Sequence, residues 1–181
     1  YRNLISSVFL IMTPLLGGTM VGFLLLEEKE AKLNRALITT PLSPISMLLA
    51  RLGPIFVLSF VVNILLFPLI MTTPMPFTQL CAAALLSAFI AIECCFFLVI
   101  FANDRVAGFA MMKLLNGLLL LPIIPAVTDA PWAKIFLIIP SYWTLAATHN
   151  FTIWTFYAGT ILHFIMLLIA YPFYKRSLLL S

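Results

Sequence analysis

The sequence predicts an all-α membrane protein, a polytopic bundle of transmembrane helices. Of its 181 residues, 64% are hydrophobic and only 9% are charged, whereas a typical globular chain is about half apolar and roughly a quarter charged. Such scarce charge cannot cover the surface of a 20.2 kDa globule, so most of the outer surface must face a bilayer. A nucleic-acid binder is excluded as well, because the basic residues are scattered between apolar runs instead of gathered on one solvated face.

Five apolar runs approach the length that a helix needs to cross the hydrocarbon core, and all belong to a single transmembrane domain covering residues 1–181. The predicted spans are 4–26, 53–72, 78–101, 106–126 and 153–174. The turn-rich segment from Thr72 to Pro76 joins the second and third spans in a tight hairpin. Asp104 is expected to cap the helix of the fourth span, which gives a second hairpin.

Lysine and arginine are distributed unevenly between the two sides of these spans. Eight of the ten fall on the side that holds the segment between the first two spans, and cytoplasmic loops are the ones that retain positive charge. We therefore predict that this segment and the C-terminus are cytoplasmic, and that residue 1 lies outside.

The segment between the first two spans carries its own pattern. Leu33, Ala36 and Leu37 share one face of a helical wheel, and charged residues cluster opposite, which predicts a short helix over 28–38 at the membrane surface. Thr39, Thr40 and Pro41 should end this helix, because the residue before a proline avoids the helical region. Ser43 then reads as an N-cap with Pro44 at the first helical position. The alternative is a solvated loop that only retains positive charge.

This segment resembles the cytoplasmic loop of the ABC type-2 transporter permeases, the membrane subunits of bacterial ABC exporters, and the drug-export branch in particular. The likeness rests on a Glu-rich start, a short helix and a Thr-Pro-Leu-Ser turn, and it extends to the span pattern of nearly the whole chain. In this sequence those features are Glu27-Glu28-Lys29-Glu30, Arg35-Ala36-Leu37 and Thr40-Pro41-Leu42-Ser43.

The resemblance implies a coupling helix that docks on a separate cytoplasmic ABC ATPase, which holds the ATP and magnesium, while this chain binds no cofactor. It also implies pairing with a second permease subunit, the same or a homologous chain, among the lipids of the inner (plasma) membrane. Family members usually have six spans, so an upstream first span is expected to be missing here. The residues assigned to ATPase coupling are Glu27, Glu28, Glu30, Lys32, Arg35, Thr40, Pro41, Leu42 and Ser43.

A second broken region precedes the last span. Its prolines exclude one continuous helix, and we predict a re-entrant segment over 127–150, built from the short helices 132–139 and 142–148. Non-helical backbone at membrane depth is tolerated where it is buried in protein or lines a cavity. The alternative is an ordinary amphipathic outer loop.

Four polar residues inside the predicted spans are candidates for function or for helix contacts, and none of them forms a metal site. Glu93 and Lys113 lie at matching depth on neighbouring spans, which predicts an ion pair. Asn63 and Asn116 are expected to bond across helices or to line a path. His163 is expected to be a hydrogen-bonded packing residue, and Gly17, Gly18 and Gly22 to permit close helix approach.

These features favour the permease subunit of an ATP-driven exporter for a hydrophobic or amphipathic compound such as a drug, an antibiotic or a lipid. The chain has no nucleotide-binding loop of its own, so it is not expected to be an enzyme. An ion-coupled secondary transporter remains the alternative, although it would need matching repeats that the sequence does not display. Intramembrane catalysis lacks any metal-protease or serine-histidine pattern.

Overall fold

The computed structural model describes residues 2–31, 44–71, 74–124 and 131–179. Within them the chain forms six α-helices and one 3₁₀ helix, and it forms no strand, which confirms the predicted all-α bundle. The helices are α1 (Arg2–Glu30), α2 (Pro44–Ile70), α3 (Phe77–Phe101), α4 (Arg105–Leu120), α5 (Pro140–His149) and α6 (Ile153–Leu179), and the 3₁₀ helix (Pro131–Ile138) precedes α5.

Four of these helices are long and apolar enough to cross a membrane, namely α1, α2, α3 and α6. The predicted fourth span is shorter than expected. Its helix α4 has 16 residues, which gives a length of about 24 Å, against roughly 30 Å of hydrocarbon. The apolar run does continue, but Pro122 and Pro125 interrupt it, and hydropathy alone does not register such a break.

One helix end differs from its predicted boundary in an instructive way. We expected the first span to stop at residue 26 and a separate surface helix to begin at 28, but α1 runs unbroken to Glu30. Residues 27–30 are strong helix formers, and nothing among them breaks the helix. The second helix begins at Pro44, as predicted. Residues 32–43, which hold the rest of the predicted coupling helix, lie outside the described residues.

Helix α3 is the core of the bundle, because it packs against α1, α2, α4, α5 and α6. In the most apolar stretch of α3, 67% of the residues are buried, compared with 11% for α6. Small side chains fill much of α3, including Ala83, Ala84, Ala88 and Ala91, so neighbouring helices approach its backbone closely. The outer helices leave their remaining apolar surface facing outward, as expected in lipid.

The predicted pair of short helices before the last span is confirmed, with the junction at Pro140. Ser141 donates a hydrogen bond to the carbonyl of Leu119, and Gln79 donates to the carbonyls of Ala147 and Thr148 at the end of α5. These bonds satisfy backbone acceptors that the end of a helix leaves open. Helix α5 is thereby fixed to α3 and α4.

A small cleft lies at this end of the bundle, between α1, α2 and α5. Ser7 is within hydrogen-bond distance of Thr148 (3.0 Å) and of the His149 ring (3.3 Å), and Phe67 and Met71 supply apolar walls. Burial lowers the pKa of His149. The cleft therefore favours a neutral imidazole in the hydrogen bond to Ser7.

Candidate functional site

At the opposite end of the bundle, the last turn of α1 places four consecutive charged residues, Glu27 to Glu30, among the ends of the other helices. We call these four residues, with Arg51 and Arg105, the charged junction. Carboxylates are unfavourable at the C-terminus of a helix, where the macrodipole is negative. Glutamates at this end of a helix therefore need donor or positively charged partners.

Lys29 is the most buried member of the junction, with 8% of its surface exposed. Its ammonium donates hydrogen bonds to the carbonyls of Val99 (3.2 Å) and Ala102 (3.0 Å) and to the Ser177 hydroxyl (2.8 Å). The Ser177 hydroxyl in turn donates to the Val99 carbonyl. A positive charge suits the carbonyl-rich end of a helix. Lys29 thus ties α1 to the end of α3 and to α6.

Glu28 points in another direction and pairs with Arg51 of α2. The nearest nitrogen and oxygen are 2.6 Å apart, and both side chains are about four-fifths buried, with 20% and 22% exposed. Charge pairs that are partly shielded from water are stronger than exposed ones. Glu28 therefore joins α1 to α2.

Glu27 and Glu30 both reach the start of α4. Arg105 contacts the carboxylates of Glu27 (2.7 Å) and Glu30 (3.6 Å), and its backbone N–H donates to Glu30 (2.7 Å). Asp104 accepts a hydrogen bond from the Ala107 N–H, which confirms the predicted N-cap. Anionic groups at a helix N-terminus satisfy open donors and complement the dipole.

The junction therefore links the end of α1 to α2, α3, α4 and α6 through one turn of helix. Of the residues predicted for ATPase coupling, it contains Glu27, Glu28 and Glu30, and each of these carboxylates has an intramolecular partner. Lys32, Arg35 and the turn from Thr40 to Ser43 lie outside the described residues. Sequence reasoning missed Lys29 as a contact residue, because a lysine beside a membrane is normally explained by topology alone.

The membrane interior holds a second polar site, and here the predicted ion pair was wrong. Glu93 pairs with His163 of α6, with 2.7 Å between Oε1 and Nδ1. Lys113 is exposed and makes no ion pair within the described part of the chain. It lies about 200° around α4 from the buried Leu115, since each residue turns a helix by about 100°. The prediction took into account how far along its span each charge lies. It did not take into account the side of the helix on which each charge lies. The expectation that His163 is hydrogen-bonded and packed is confirmed.

An aromatic group surrounds this pair. The Phe89 ring lies one helical turn from Glu93 and stacks on the His163 ring, with 5.4 Å between centroids. It also contacts Phe56 of α2 at 5.1 Å and Phe164 of α6 at 5.4 Å. The pair and the three phenylalanines together form what we call the Glu93 site.

Two amide side chains behave differently from each other. Asn63 donates hydrogen bonds to the Ser87 hydroxyl (2.8 Å) and the Leu10 carbonyl (3.4 Å), and Ser87 bonds the same carbonyl. Asn63 therefore bonds across helices, which is one of the two roles predicted for it. Oδ1 of Asn116 is buried with no hydrogen-bond partner in the part of the chain that the structure describes.

The Glu93 site and the charged junction are connected by a close seam between α1 and α3. A Cβ added at Gly18 would meet the Ala91 carbonyl at 2.4 Å and the Ala91 Cα at 2.8 Å, and one at Gly22 would meet the Leu98 side chain at 2.6 Å. Glycine is therefore required at Gly18 for the two backbones to approach this closely. The predicted small-residue face of the first span is confirmed.

Comparison with known proteins adds a family to this geometry. The family model described as "Fluoroquinolones export permease protein Rv2686c-like" matches residues 1–171. The chain belongs to this Rv2686c-like family. The match includes the whole charged junction and the Glu93 site, so both lie inside the family's own fold.

Two curated members of the family come from Mycobacterium tuberculosis. They are the fluoroquinolones export permease proteins MT2760 of strain CDC 1551 / Oshkosh and Rv2686c of strain H37Rv, each 27% identical over 169 residues. The match covers 88% of this chain but 66% of the length of each relative. No solved structure matches the chain significantly.

Proposed function

We propose that this Rv2686c-like chain is the membrane permease subunit of an ATP-driven ABC exporter. In this proposal the chain carries the compound across the inner (plasma) membrane, and a separate ABC ATPase binds ATP and magnesium. A second permease subunit, the same or a homologous chain, completes the path. The names of the two curated relatives support drug export, and fluoroquinolones are accordingly the first compounds to test.

The charged junction is the observation that carries the mechanical part of this proposal. It contains the first residues of the coupling helix that the sequence predicts over 28–38, and the rest of that segment follows it in the chain. Because one helical turn contacts α2, α3, α4 and α6, a displacement of that segment acts on four helices together. A transporter driven by a cytoplasmic motor needs such a connection, since the motor must move helices that it does not touch.

We assign the two halves of the predicted coupling region to different tasks. Lys32, Arg35 and the turn from Thr40 to Ser43 would contact the ATPase surface. Glu27, Glu28 and Glu30 would instead hold the base of that region against the bundle, since Arg51 and Arg105 already occupy their carboxylates. This division refines the assignment made from the family resemblance.

Transport assays separate the proposed mechanism from its alternative. Inverted membrane vesicles containing the permease and its ATPase should accumulate a fluoroquinolone when ATP is added, and a non-hydrolysable ATP analogue should not support accumulation. Accumulation driven by an imposed proton or sodium gradient without ATP would instead identify an ion-coupled secondary transporter.

A pull-down experiment tests the assignment of the contact residues. Changing Arg35 and Leu42 together to alanine should release the ATPase from the purified complex, because both the charge and the apolar contact of the predicted interface are removed. Lys134→Ala, an exposed change on the side predicted to be outside, is the matched control and should leave the complex intact. An intact complex in the double variant would reject the assignment of the contact residues.

A further inference from the structure

The Glu93 site contains two buried polar atoms that the protein does not satisfy. Within the described residues, neither Oε2 of Glu93 nor Nε2 of His163 has a hydrogen-bond partner. The side chain of His163 is fully buried, and that of Glu93 is 12% exposed. An unmet buried polar group costs about 1–3 kcal/mol, and more when it is charged. A structural pair alone does not account for the buried carboxylate oxygen that is left without a partner.

The chemistry of the pair defines what these atoms require. When Nδ1–H of a neutral His163 donates to the Glu93 carboxylate, Nε2 is left as an acceptor and Oε2 is an acceptor as well. The pair then has a net negative charge inside the membrane. It requires a ligand that brings hydrogen-bond donors and a positive charge, and a protonated amine supplies both.

The surroundings favour an amine attached to an apolar or aromatic body. Phe89 stacks on His163 and also contacts Phe56 and Phe164, so aromatic rings from three helices form a cluster on the His163 side of the pair. Ring faces attract cations, and the attraction is larger where water is excluded. Carboxylate, imidazole and phenylalanine rings are together suited to an organic cation more than to a hydrated metal ion.

We propose that the Glu93 site binds the protonated amine of the transported compound, with Oε2 of Glu93 as its hydrogen-bond acceptor and counter-ion. This inference rests on the proposed export function and names the substrate chemistry that the permease selects. Oε2 is covered in the present conformation, so the ligand reaches it when α6 moves away from α3. Helix α6 is the least buried of the four long helices, and a change of packing between helices is what alternating access requires.

Two nearly isosteric fluoroquinolones test the assignment. Enrofloxacin carries an N-ethyl group on a basic amine, whereas N-acetylciprofloxacin carries an acetyl group that makes the same nitrogen a neutral amide. Binding to the purified full-length protein is measured from the fluorescence anisotropy of each compound. The wild-type protein should bind enrofloxacin about tenfold more tightly or better, as expected for a hydrogen bond to a charged group.

Variants test whether the Glu93 site causes this difference in affinity. Glu93→Gln should bring the affinity ratio of the two compounds close to 1, while Lys113→Gln, which removes an exposed charge of a neighbouring helix, should keep the wild-type ratio. Glu93→Asp keeps the charge but withdraws it by one methylene, and it should give an intermediate ratio. The two compounds are compared on the same variant. A general effect of the substitution on stability therefore cancels from the ratio of their affinities.

Each outcome decides the proposal. A wild-type ratio near 1 overturns it, and so does a folded Glu93→Gln variant that keeps the full ratio. In both cases export of fluoroquinolones stands, and only the amine site is lost. If the wild-type protein neither binds nor exports either compound, fluoroquinolone export itself is wrong and the amine site is rejected with it. If Glu93→Gln does not fold, the wild-type and Glu93→Asp ratios decide.

Discussion

The charged junction and the Glu93 site both place ionisable groups among packed helices, yet they differ in how fully those groups are paired. In the junction, Lys29 has three acceptors and each glutamate has an arginine within ion-pair distance, although Oε2 of Glu28 has no hydrogen-bond partner among the described residues. In the Glu93 site, two groups make one contact and leave two polar atoms without a hydrogen-bond partner among the described residues. A group with a close partner of fixed opposite charge holds helices together, whereas a carboxylate in the membrane without such a partner requires something further to bind.

Helix α3 belongs to both regions and explains how they can communicate. Its C-terminal carbonyls bind Lys29, and two turns earlier it carries Glu93. Along this stretch it packs closely against α1, with the Ala91 backbone against Gly18 and the Leu98 side chain against Gly22. Interfaces this tight pass from one packing to another instead of deforming continuously. A shift of α1 at the junction therefore changes the contacts of α3 near the Glu93 site.

The largest loss of stability is expected at Lys29. Lys29→Met keeps the length of the side chain but leaves the Val99 and Ala102 carbonyls and the Ser177 hydroxyl without the ammonium. We expect the free energy of unfolding in detergent to fall by about 3 kcal/mol. Lys113→Met makes the same exchange at an exposed position. It is the matched control and should leave the free energy of unfolding unchanged. Equal stability of the two variants would show that the junction does not hold the bundle together.

The seam between the two regions should be the next most sensitive place. Gly18→Ala forces a Cβ against the backbone of Ala91, which cannot move as a side-chain end can, and should destabilise the bundle by about 2 kcal/mol. Gly53→Ala is the matched control, because a Cβ there meets nothing within 4 Å. Alanine favours a helix more than glycine does, so this control should be neutral or slightly stabilising. Thermal unfolding of both variants measures the difference, and a tolerated Gly18→Ala would contradict the close approach of α1 and α3.

The smallest effect should come from the exposed side of the junction. Glu27 and Arg105 are each about half exposed, so water screens their pair, and Glu27→Gln should lower the free energy of unfolding by less than about 0.5 kcal/mol. The same urea or detergent titration that measures Lys29→Met detects it. A loss as large as that of Lys29→Met would mean that the buried contacts of the junction contribute no more to stability than the exposed ones.

Hydropathy and local signals were sufficient for much of this fold. They predicted the all-α bundle, the start of α2 at Pro44, the Asp104 cap and the two short helices that meet at Pro140, since these features depend on neighbouring residues and on helix length. They failed where direction around a helix mattered. Glu93 and Lys113 share a depth, but only packing turns one toward α6 and the other outward.

The site was less predictable for the same reason. The sequence singles out the glutamates at the end of α1 as a group, yet their partners Arg51 and Arg105 are distant in sequence, and no local pattern connects them. His163 was expected to be hydrogen-bonded, but its partner is 70 residues away along the chain. Contacts between remote residues depend on the tertiary packing of helices, which a periodic pattern does not encode.

The central claim is that Glu28 acts inside the bundle, by holding α1 to α2, and not by contacting the ATPase directly. A charge exchange tests it most directly, with ATP-driven accumulation of a fluoroquinolone in inverted vesicles as the measurement. Glu28→Arg and Arg51→Glu should each abolish most of the transport, because like charges then meet in a partly buried position. The double variant restores an opposite pair and should recover a large part of the wild-type rate. A double variant as inactive as the single ones would contradict the claim and return Glu28 to the ATPase interface.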